Sequence, residues 1–158
     1  MKTLSTTLMI LSIALGLGAC HPDDAQMNGL DAGTPEGPAA FLGTWHYEAG
    51  TSKTSFVCED GSSFDLSADG TESETFTGGS RANEIVATGG NGCAITCSVS
   101  GQTATCFGGE ACDGATITTD VYTLLGDKLH EVASGSVVLD DGTSCEFFSP
   151  VGVLARAK

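Results

Sequence analysis

Positive charge is scarce: 6 Lys+Arg stand against 20 Asp+Glu in 158 residues, giving a formal charge of −14 and a pI near 4.2. Phosphate binding needs Lys and Arg, so nucleic-acid partners are excluded. Aromatic residues are 6 % of the chain, with one Trp, and there are three His. No HExxH, Walker loop, Rossmann glycine pattern or Gly-x-Ser-x-Gly elbow occurs. The expectation is therefore a non-catalytic protein with no cofactor and no metal centre. No apolar run reaches the ~20 residues that span a bilayer as a helix, and no stretch keeps a 3.6-residue apolar period.

What is present begins with a leader. Lys2 precedes an apolar run from Leu8 to Leu17, the length of a signal-peptide core. It ends in Leu17-Gly18-Ala19-Cys20, which resembles the lipobox of bacterial lipoproteins. That resemblance implies removal of residues 1–19, acyl chains on Cys20, and a membrane partner reached through them, since several chains together anchor stably. His21 stands where an Asp would retain some lipoproteins in the inner membrane, so the expected location is the cell envelope at the outer membrane. Residues 20–40 then read as the lipidated Cys and a flexible acidic tether, rich in Pro, Gly and acids.

From Phe41 to Lys158 the pattern changes to short alternating segments between turn signals such as Asp69-Gly70, Gly126-Asp127 and Asp141-Gly142. Thr, Ser and Val dominate, which suits pleated surfaces. The spacing predicts nine or ten short antiparallel strands in one all-β domain, a meander closed into a barrel in preference to a sandwich. Closure removes exposed strand edges. Thr143–Phe148 and Val151–Arg156 read as separate strands.

Phe41-Leu42-Gly43-Thr44-Trp45 resembles the Gly-x-Trp opening of lipocalin-like and avidin-like barrels, and Thr119-Asp120-Val121-Tyr122 resembles the lipocalin Thr-Asp-Tyr signature with a Val inserted. The first resemblance implies that Trp45 closes one barrel end, with Arg156 packed on it, and that a small apolar ligand sits inside. Gly92-Cys93, Val99-Ser100-Gly101-Gln102 and Gly142-Thr143-Ser144-Cys145 are also similar to uncharacterised Cys-rich lipoproteins of the myxobacterial type.

Apart from Cys20 there are Cys58, Cys93, Cys97, Cys106, Cys112 and Cys145, an even set that in an exported chain reads as up to three disulfides. A two-residue turn at Gly101-Gln102 puts Cys97 opposite Cys106 on adjacent strands. Extending that register brings Cys93 near Cys112 and leaves Cys58 for Cys145. Zinc is the rival reading, but Cys93-x3-Cys97 and Cys106-x5-Cys112 lack the usual knuckle spacing.

The acids read as solvated strand and turn groups. Calcium could be drawn from Asp65, Asp69 and Glu72, or from Asp140, Asp141 and Glu146, yet Asp-Gly turn chemistry explains them equally. The function expected is a lipid-anchored, non-catalytic binding or interaction module. The alternatives are an envelope hydrolase built on His130 with Asp120, and a surface-coat or adhesion component.

Overall fold

The computed structural model describes residues 36–108 and 114–158. The leader, Cys20, the tether up to residue 35 and Cys112 lie outside the described residues. The described chain is all-β. After a single 3-10 turn, Pro38–Ala40, come β1 (Gly43–Tyr47), β2 (Lys53–Cys58), β3 (Ser63–Ser67), β4 (Ser73–Gly78) and β5 (Glu84–Gly89). Then follow β6 (Ala94–Ser100), β7 (Thr103–Phe107), β8 (Ala115–Leu125), β9 (Lys128–Val138) and β10 (Ser144–Arg156).

Eight strands, in the order β1-β4-β5-β6-β7-β8-β9-β10, close into an antiparallel barrel when β10 pairs back on β1. The interior of such a barrel is wide enough either to be packed with side chains or to hold one small ligand. The β2–β3 hairpin extends the wall. β2 lies beyond β1 on the same flank of β10, with Cys58 opposite Cys145 and Phe56 opposite Phe147. β3 pairs only with β2, so it is the one free strand edge among the described residues.

β10 is one 13-residue strand where two were expected. Pro150 lacks an amide hydrogen, and the ladder shifts register around it instead of ending. The shift changes which residues face inward, from Cys145, Phe147 and Ser149 before it to Gly152 and Leu154 after it. β8 has a similar shift between Ile117 and Thr119. Before it Ala115 and Ile117 face in, and after it Asp120, Tyr122 and Leu124 do. A bulge re-aims a side chain in this way without ending the strand.

One half of the barrel is filled. Trp45, Phe41, Phe76, Ile85, Leu129 and Leu154 are each 1 % exposed or less and form a continuous core. Arg156 lies 4.3 Å above the Trp45 ring, directly opposite it in the ladder. Its guanidinium also donates to the carbonyls of Ala40 and Leu42, at 2.6 and 2.5 Å, while the Trp45 indole donates to Phe41 at 2.7 Å. These bonds hold the 3-10 turn across the barrel end. Ala40 is consequently buried, and the packed domain begins slightly before Phe41.

Two disulfides sit on directly paired residues of neighbouring strands, Cys97–Cys106 across β6–β7 and Cys58–Cys145 across β2–β10. The first follows from the two-residue turn at Gly101, whose φ of 59° suits glycine. Cys93 is disulfide-bonded as well.

Candidate functional site

Above the filled core the barrel encloses a cavity of about 630 Å³ that reaches the rim at Asn91. Its upper walls are apolar, formed by Phe56, Ile95, Ile117, Val137 and Phe147. Small inward-facing residues (Ala87, Gly89, Ala133) leave the space open. Gly135 helps in another way: an added Cβ there would meet the Phe147 ring at 2.7 Å, so glycine lets that ring lie against β9.

The floor is acidic. Glu74 from β4, Asp120 from β8 and Glu131 from β9 all line the cavity. Asp120 and Glu131 are 5 % and 8 % exposed. Two tyrosines stand among them. The Tyr122 hydroxyl donates to Glu74 Oε2 at 2.5 Å. The Tyr47 hydroxyl lies 2.8 Å from Glu131 Oε2 and 3.1 Å from Glu74 Oε1, one proton serving two acceptors. Asp120 Oδ1 is buried and accepts no hydrogen bond from the described residues. Gly152, opposite Glu131 on β10, makes room for this group, because a Cβ there would fall 2.5 Å from Glu131 Oε2 and 3.3 Å from Tyr47 Cε1.

Every Lys and Arg of the described residues except the C-terminal Lys158 is engaged elsewhere. Lys53 pairs with Asp65 at 2.8 Å, Arg81 with Glu84 at 3.0 Å and Lys128 with Glu48 at 2.8 Å, and Arg156 covers Trp45. Lys158 is exposed at the C-terminus. With no cation nearby, ionisation on the floor is costly. Burial, and then repulsion from Glu74, push the Asp120 carboxyl up to about 7. Glu131 is held well above the carboxylate range by burial and by repulsion from Glu74 and Asp120. Burial also raises Glu74, although the two tyrosine hydroxyls pull it back. Both tyrosines stay protonated, raised by burial and by the carboxylates around them.

The structure separates other residues that the sequence grouped together. His130 and Asp120 face opposite sides of the barrel wall, since Leu129, Glu131 and Ala133 take the inward positions on β9. Trp45 and Arg156 sit at the closed end and do not line the cavity. The turn acids behave as turn acids: Asp69 accepts from Thr71, Asp141 from Thr143 and Asp60 from Ser62. Among the described residues, no three His, Cys, Asp or Glu side chains are placed to hold a metal ion.

The reading of the acids as solvated fails at the floor acids Glu74, Asp120 and Glu131, and at Glu84, which is buried and held by Ser80 and Arg81. A signal for two of them lies in the alternation. Glu74 shares parity with Phe76, and Glu131 with Leu129 and Ala133. Asp120 shares parity with Tyr122 and Leu124, but only the β8 bulge gives that parity to the interior. Searches against protein-family models and curated proteins found no match for the chain.

Proposed function

We propose that this protein is a small-molecule-binding β-barrel, acting without catalysis and held to the bacterial outer membrane by acyl chains on Cys20. The observation that carries the reading is the cavity of about 630 Å³ inside a closed barrel, walled mainly by apolar side chains. Sites of this size and composition suit small ligands. The stacked Trp45–Arg156 pair at the filled end is the arrangement that the lipocalin resemblance implies. Separation of His130 from Asp120 leaves the hydrolase alternative without its acid–base pair, which would need hydrogen-bond reach.

Trp45 lies outside the cavity, so an external reporter suits the test. N-phenyl-1-naphthylamine, neutral and apolar, is titrated into the purified, oxidised protein. A saturable rise in its emission at micromolar concentration, near one probe per chain, is expected. A folded, oxidised protein that leaves the dye dark up to its solubility limit overturns the reading and turns attention to surface partners.

A further inference from the structure

The chemistry of the ligand can be taken further, on the reading that the barrel interior is the binding site. We propose that the cavity takes an organic cation: a protonated amine or amidinium on an apolar body, its charged head seated among Glu74, Asp120 and Glu131. Two features carry this independently. The first is the cluster, in which three carboxylates converge on one floor with no Lys or Arg of the described residues beside them. The second is Asp120 itself, 5 % exposed and facing the cavity, with Oδ1 accepting nothing from the described residues. Buried acceptors are normally satisfied, and an orphan costs its desolvation unless a donor arrives.

The two tyrosine protons are already committed to Glu74 and Glu131. A ligand entering the cavity can supply the missing donor, and an N–H carried on a positive charge is the strongest kind. A single metal ion fits poorly, because no three such side chains among the described residues are placed to bind one. A head group with several diverging N–H bonds can reach separate carboxylates. The apolar body would lie against Phe56, Phe147, Ile95 and Ile117. A second depression of about 250 Å³ touches Glu131 from the side of Val151 and Gly152, giving the head room on both sides of that carboxyl.

Proton linkage follows. The titratable groups facing Asp120 are Glu74 from β4, Glu131 from β9, Tyr47 from β1 and Tyr122 on its own strand. The cavity residues of β2, β5 and β10 (Thr54 and Phe56, Ala87 and Gly89, Phe147 and Ser149) do not titrate. Protons held by the empty cluster must leave as the cation enters, so affinity for an amine should rise with pH until the amine itself deprotonates. A carboxylate ligand meets repulsion instead.

The test compares three eight-carbon probes by calorimetry on the oxidised protein in amine-free buffer: octylammonium, 1-octanol and octanoate. Octylammonium should bind about tenfold or more tighter than 1-octanol. Octanoate should bind weakest, and octylammonium affinity should fall between about pH 7.5 and pH 5.5. In Asp120→Asn the octylammonium-to-octanol ratio should collapse towards one. Glu74→Gln serves as the second variant, with the same expectation, should the first not fold. If the three probes bind alike, or the ratio survives both substitutions, the cavity remains a ligand site and the cation proposal is overturned. If none of them binds, the small-molecule reading itself falls.

Discussion

A buried carboxyl without a counter-charge leaves a mark on stability as well as on binding. Asp120 has an ordinary value of 3.8 and is pushed up to about 7 in the fold. Below about pH 4 it is protonated in both the folded and the unfolded chain and costs nothing. Between about pH 4 and 7 the unfolded chain ionises while the folded one keeps its proton, so stability falls with rising pH, by about 1.4 kcal/mol per unit at the limit. Above pH 7 the loss is constant. Glu131 and Glu74 are also raised and act in the same direction. Asp60, Asp65, Asp69 and Asp141, lowered by their hydrogen bonds, act oppositely and withdraw stability only at more acid pH. The melting midpoint in acetate and phosphate should therefore be higher at pH 5 than at pH 8, by roughly 5–15 °C. Asp120→Asn should flatten that slope, and a midpoint that is equal or higher at pH 8 would contradict the assignment. Two of the three floor acids were open to a reading by parity, because Glu74 and Glu131 alternate with apolar neighbours. Asp120 was not. Its direction depends on the bulge between Ile117 and Thr119, and the run Ile117-Thr118-Thr119 contains no Gly or Pro to signal one.

Strands, in contrast, were largely legible. Alternation and Asp-Gly turns place most of their boundaries, and Gly101-Gln102 sets the β6–β7 register down to the Cys97–Cys106 pair. The expected break between Thr143–Phe148 and Val151–Arg156 does not occur, and the reason lies in how Pro150 is accommodated. It usually ends a ladder, but here the strand bulges around it and continues, because β2 holds one half of β10 and β1 the other. That shared strand gives Cys58–Cys145 its importance. The bridge ties the outlying β2–β3 hairpin to β10 across a sequence separation of 87, against 9 for Cys97–Cys106. If chain entropy governs, replacing both Cys58 and Cys145 with Ala costs about 4–5 kcal/mol, and replacing Cys97 and Cys106 about 2–3 kcal/mol. Denaturant unfolding of the two double variants measures the difference. A larger loss from the short-loop pair would mean that local packing, not loop closure, dominates. Phe56 stacks on Phe64 at 4.6 Å, so a loosened hairpin would carry one cavity wall with it.

At the scale of the whole molecule the barrel is divided along its axis into a packed half and an open half. The division follows side-chain size. Trp45, Phe41, Phe76 and Leu154 fill one end, whereas Ala87, Gly89 and Ala133 leave space at the other. A core tolerates no added bulk without strain, while a cavity accepts it and gains apolar burial. Two Ala→Leu substitutions distinguish the halves. Ala104 is fully buried in the packed half and pairs with Tyr122, so Ala104→Leu should destabilise by about 1–3 kcal/mol. Ala133 lines the cavity opposite Asp120, so Ala133→Leu should hold or slightly raise the melting midpoint. It should also weaken N-phenyl-1-naphthylamine binding about tenfold or more, because the leucine occupies the ligand's volume. Equal destabilisation by both substitutions would mean that the upper half is as tightly packed in solution as the lower, and the barrel would then have no room for a ligand.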